Sequence, residues 1–122
     1  MDENFPDDEK LYRAVYPPNL RELFWKEDGT LSSAAFLDKN GLSVERGDGR
    51  PDCDVAEAMK KRFTGRIVFV SVGDCRSASA IVLYKSSKIS IYHSEIHGSP
   101  DNPCLSAGQR RSLAKQATVL AD

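Results

Sequence analysis

The chain has 122 residues, a net charge of −1, and 40% hydrophobic against 29% charged residues, the balance of an ordinary globular protein. Such a length suits one domain and excludes two conventional ones, and the composition excludes collagen-like repeats, wholesale disorder and a disulfide scaffold. The longest apolar run, Ile67-Val68-Phe69-Val70, falls far short of the ~18 residues of a membrane span; residues 1–20 lack the basic-then-apolar order of a signal peptide, so a cytoplasmic protein is expected.

Residues 1–10 read as an acidic flexible N-terminal arm. Asp2, Glu3, Asp7, Asp8 and Glu9 face only Lys10, and such a segment repels itself and has little to bury. A single α+β domain is expected over 11–122. Leu11 to Val15 is β-prone and stops at Pro17-Pro18. Residues 20–26 fit a helical turn or a second strand. Asp28-Gly29 and Asn40-Gly41 are turn signals, and Leu42-Ser43-Val44 is a short strand. Gly47 to Pro51 is a loop by composition.

Asp54 to Phe63 predicts a helix, with Val55, Met59 and Phe63 on one stripe, acids in its first turn and bases in its last. Arg66 to Val72 is apolar on both sides and predicts a central strand. Gly73-Asp74-Cys75-Arg76 reads as a turn. Ala80 to Tyr84 and Ile89 to Ile96 read as further strands, the latter with Ile89, Ile91, His93 and Glu95 facing one way. Ser106-Ala-Gly-Gln109 is a capping box that opens a final helix. The expected fold is α+β: a single mixed or mainly antiparallel sheet of about four to six strands with two main helices.

Three cysteines without a C-x-x-C pair point to free thiols in a reducing compartment and argue against cysteine-based zinc. Cys75, beside Arg76, is a weak thiol-nucleophile candidate without a surrounding enzyme signature. His93-Ser-Glu95-Ile-His97 holds both histidines. On a strand the two stand about 13 Å apart at ~3.3 Å per residue, too far to share one metal ion. No metal is expected. His93 and Glu95, two residues apart, form a usable acid–base pair on one strand face.

Charge is divided along the chain: residues 1–50 carry 11 acids and 7 bases, and residues 51–122 carry 7 acids and 10 bases. Lys60, Lys61, Arg62 and Arg66, with Arg110, Arg111 and Lys115 from the last helix, form one patch if both helices share a side of the sheet. That patch would suit phosphate or an acidic protein. The absence of interleaved aromatics weakens a nucleic-acid reading.

The order Tyr12-Arg13, Ser32-Ser33 and Glu95 resembles the layout of ADP-ribosyltransferase-like folds. That resemblance implies Arg13 and Ser33 holding a nicotinamide dinucleotide and Glu95 assisting transfer, with His93 as a fourth candidate catalytic residue. The family's acid-x-acid or glutamine-x-acid signature is missing, since His93 stands two residues before Glu95, and the chain is short for that fold. Tyr12-Arg13-Ala14-Val15, Ser32-Ser33-Ala34-Ala35-Phe36, Leu42-Ser43-Val44 and Tyr92-His93-Ser94-Glu95-Ile96 together resemble a set of small uncharacterised bacterial proteins. The resemblance implies an accessory part of a multi-gene system, of defence or toxin type. With no cofactor loop in view and no cofactor expected, the leading expectation is a partner-binding protein whose partner is another protein encoded nearby. A small enzyme acting on a nucleotide and a nucleic-acid-binding module are the alternatives.

Overall fold

The computed structural model describes residues 4–19 and 21–120. Within them run β1 (Lys10–Val15), β2 (Leu42–Arg46), α1 (Asp52–Lys60), β3 (Arg66–Ser71), α2 (Val72–Ser77), β4 (Ile81–Tyr84), β5 (His93–His97), α3 (Ala107–Gln116) and β6 (Thr118–Val119). The strands form one sheet in the order β4-β5-β2-β1-β3-β6, every neighbouring pair antiparallel. The expected α+β class with an antiparallel sheet is observed. Single 3-10 turns at Glu22–Phe24 and Ser33–Phe36 fill the long β1–β2 connection.

Because side chains alternate along a strand, the register divides the sheet into two faces. On one face Leu11, Val15, Leu42, Val44, Val68, Val70 and Ile96 are buried in a cluster that also holds Cys75 of α2 and Leu113 of α3. Ala35 and Phe36 of the second 3-10 turn, with Trp25 and Leu31, close the same side. On the other face Tyr12 and Ile67 pack against Val55 and Met59 of α1. This smaller cluster covers β1 and β3 only. Tyr12 lies opposite Glu45, and Glu45 opposite His93, so the same face continues outward across β2, β5 and β4.

Several sequence expectations need correction. Residues 1–3 of the expected flexible arm lie outside the described residues, but the arm is packed from Phe5 onward. Phe5 is 4% exposed, and the Glu9 carboxylate makes a buried two-pronged pair with Arg46, at 2.7 Å to Nε and 2.8 Å to Nη2. The Arg46 guanidinium is stacked 4.0 Å from the Phe5 ring centre, with Tyr84 at 5.3 Å. An acid that seemed to repel its neighbours is instead matched by a base 37 residues away. The Lys10–Val15 strand takes in one residue of the expected arm.

The helix expected over 54–63 spans Asp52–Lys60, and Phe63 lies beyond its end, 48% exposed. The expected turn at 73–76 is helix α2. Ser71 accepts from the Asp74 backbone N–H while the Asp74 carboxylate accepts from the Ser71 N–H, a capping box that starts the helix despite Gly73. The strand expected over 89–96 is confined to His93–His97. Ile89 and Ile91 sit in the β4–β5 connection, 80% and 59% exposed. Of the segment 20–26, Leu20 lies outside the described residues and Glu22–Phe24 is a 3-10 turn. The final helix starts as expected, Ser106 and Gln109 capping each other.

Candidate functional site

His93, Glu95 and His97 stand on one face of β5, as alternation requires. The acid–base pair forms between different partners from those the spacing suggested. Glu95 Oε1 lies 2.8 Å from His97 Nε2, while His93 Nδ1 lies 2.8 Å from the Lys85 carbonyl. A carbonyl oxygen only accepts, so Nδ1 of His93 carries a proton and its Nε2 points elsewhere. The His97–Glu95 pair depends on Gly41. A Cβ there would come within 2.6 Å of His97 Nε2 and 2.9 Å of Glu95 Oε1, and the residue has φ of +102°, so glycine is required twice over.

Arg13 points to the opposite face. Its register partner is Val68 of the larger core, whereas His93 is aligned through Glu45 with Tyr12 of the smaller one. Its Nε donates to the Ala35 carbonyl at 3.2 Å and its Nη1 to the Ser43 carbonyl at 2.9 Å. Arg13 thereby ties the second 3-10 turn to β2. Burial lowers its pKa, and Asp38 opposes that shift. Ser33 begins the same 3-10 turn and lines a groove against α3. The structure therefore does not bring Arg13, Ser33, His93 and Glu95 to one pocket. A small hollow of about 100 Å³ beside His93 is walled by Tyr12, Glu45, Arg62 and Phe63. Arg13 and Val44 border it too; with side chains on the far face, they reach it through their backbone.

The basic residues are likewise divided. Lys60, Lys61 and Arg62 lie at the end of α1, on the face of the smaller core. Arg110, Arg111 and Lys115 lie on α3, whose Leu113 is in the larger core. The two helices take opposite faces of the sheet, so the expected single patch of seven cations does not form. Arg62 is held by Glu45 at 2.8 Å, Arg66 sits 5.1 Å from the Trp25 ring centre, and Arg110 donates to the Leu105 carbonyl at 2.6 Å.

Cys75 is fully buried in α2, and burial, followed by the Asp74 charge, pushes its thiol up to about 12. At neutral pH it is a packed thiol, since the nucleophilic form is the thiolate. All three cysteines are free. Among the described residues no group of three or more His, Cys, Asp or Glu is placed to hold a metal ion, and no helix is long and apolar enough to cross a membrane.

The feature that sequence reasoning missed is the uncovered part of the sheet beyond α1. Ile81, Leu83, His93, Glu95 and His97 are half-buried on this face without a helix over them. Phe63, Ile89 and Ile91 are three of the six large apolar side chains left exposed among the described residues. Phe63 borders the hollow beside His93, and Ile89 and Ile91 lie beside Ala58 of α1 and Arg62 just after it. The outer edge is open as well. The Lys85 N–H bonds the His93 carbonyl at 3.0 Å, so by antiparallel alternation Leu83 and Ile81 bond inward to β5. Val82 and Tyr84 then direct their backbone N–H and C=O groups outward from the sheet. The signal in the sequence is Ile89 and Ile91, whose alternation also fits a strand.

Comparison of the chain with protein-family models, with curated proteins and with solved structures gives no match.

Proposed function

We propose that the chain is a small accessory protein that binds another protein encoded nearby and performs no catalysis of its own. The observation that carries this reading is the uncovered half-sheet over β2, β5 and β4, with its open β4 edge and exposed Phe63, Ile89 and Ile91. Exposed apolar side chains around an uncovered sheet face suit an interaction site. An open edge strand offers backbone groups to an added strand, and alternate side-chain positions beside it give specificity.

The partner that fits is an extended segment with alternating apolar and acidic residues. Apolar side chains would cover Leu83, Ile89, Ile91 and Phe63. Acids would meet Lys85, Lys88, Lys60 and Lys61, while the acids of this face are already occupied: Glu45 by Arg62 and Ser90, and Glu95 by His97. A cytoplasmic setting in a bacterial multi-gene system of defence or toxin type rests on the resemblance to small bacterial proteins. Against the enzyme alternative stand the division of Arg13 and Ser33 from His93 and Glu95 across the sheet and the protonated, buried Cys75.

Co-expression with the products of neighbouring genes tests the proposal. A stable complex is expected on size exclusion, lost in Leu83→Asp and in Ile91→Asp while the melting temperature of the isolated chain stays within a few degrees. Absence of any complex with those products overturns the reading. So does a complex indifferent to both substitutions.

A further inference from the structure

On the other side of the sheet, a groove of about 680 Å³ runs between the 25–33 segment and α3. Its near wall is built by a tight reversal: the Lys26 N–H bonds the Thr30 carbonyl at 2.7 Å, Gly29 turns with φ of +86°, and Trp25 bridges to Leu31. Its far wall is α3, where Arg111 and Lys115 stand four residues apart and so share a helix face.

The charge lining this groove is of one sign. Lys26, Arg111 and Lys115 border it, and among the described residues no Asp or Glu does. In a chain of net charge −1 that is a local concentration of positive potential, and concave walls focus such a field. The nearby Asp28 is engaged within its own loop. Its Oδ1 accepts from the Thr30 hydroxyl at 2.6 Å and from the Thr30 N–H at 3.0 Å, bonds that hold it below the ordinary carboxylate range. Ser32 accepts from the Ala34 N–H through its hydroxyl oxygen, which leaves the hydroxyl proton to donate. Ser33 adds a second half-buried hydroxyl on the same wall. Beside Gly29 and Thr30 of the reversal, the remaining lining is apolar: Leu31, Ala114, Ala117 and Val119.

Cations on both walls and hydroxyls on the near one, around an apolar floor, in a volume within the ~300–1,000 Å³ of small-molecule sites, suit a ligand with an anionic group and an apolar body. We infer that this groove binds a nucleoside polyphosphate, its phosphates held by Lys26, Arg111 and Lys115 and its base laid on the apolar floor. Arginine supplies the planar fork suited to a phosphate, and the lysines act as point charges beside it. Neither the proposed partner nor the uncovered half-sheet enters this inference, because the two sites lie on opposite faces.

Calorimetric titration of the whole chain with ATP, adenosine, pyrophosphate and a twelve-nucleotide single-stranded RNA tests it. ATP is expected to bind at least about tenfold more tightly than adenosine or pyrophosphate, and its affinity to fall with added salt. Arg111→Ala and Lys115→Ala are each expected to weaken ATP by about tenfold, the worth of one charge-assisted bond. Lys39→Ala, outside the groove lining, is expected to leave it unchanged. Both α3 side chains are exposed, so these variants should fold, with unchanged circular dichroism as the check. No heat with millimolar ATP overturns the inference, as does equal loss in Lys39→Ala. RNA binding more tightly than ATP overturns it in favour of a nucleic-acid surface.

Discussion

The two faces of the sheet are finished to different degrees. One is sealed by α2, α3, the second 3-10 turn and the N-terminal segment, with its fully buried Arg46 satisfied by Glu9. The other is sealed only where α1 lies over β1 and β3, and its outer half shows histidines, a carboxylate and isolated isoleucines. The contrast separates stability from recognition. Residues on the sealed face hold the chain together, whereas those on the open half can change without unfolding it.

The sharpest way to break this contrast is at Arg46. Arg46→Ala strands the Glu9 carboxylate in a dry site and unstacks Phe5, and is expected to cost about 3–5 kcal/mol. Urea unfolding checks this; a loss under about 1 kcal/mol would mean that the N-terminal segment does not seal the face.

A smaller effect comes with alkali. The buried Cys75 thiol is raised from 9.0 to about 12, and the Tyr12 hydroxyl is raised by burial and by its bond to Asp52. In each case the unfolded chain loses its proton first, so the stability they contribute is whole below about pH 9 and declines as pH climbs toward 12. Melting temperature against pH should bend downward above pH 9, with a shallower slope in Cys75→Ala. An identical slope in that variant would remove the thiol from the account.

The smallest effect belongs to the open half. Ile89→Ser should change stability by no more than about 0.5 kcal/mol, because that side chain is 80% exposed. A larger loss by urea unfolding would show that the β4–β5 connection supports the fold.

What the sequence made legible was local. Ser106 and Gln109 are three residues apart, and their capping box marked the start of α3 to the residue. The same device at Ser71 and Asp74 was hidden by Gly73, which reads as a turn when considered alone. The Glu9–Arg46 pair carries no local signature at all, since it is made by the β1–β2 register bringing Leu11 opposite Arg46. Ile89 and Ile91 show the reverse error. Their period of two is that of a strand, but Ser87 and Ser90 close a turn on each other and lift them out of the ladder. The placing of Arg13 and of the β5 histidines on opposite faces and the separation of the basic helices all depend on strand order, which no single segment encodes. Candidate residues were therefore found more readily than their company.

The strand order also carries a consequence for synthesis. β1 comes first among the strands yet lies between β2 and β3, so its β3 side stays bare until residue 71 has been made. At ~5–20 residues per second, that interval is on the order of 3–11 s. Within it Leu11, Tyr12 and Val15 have no partner strand until residue 46 and only β2 afterwards, which makes the nascent chain more vulnerable to aggregation than the finished protein.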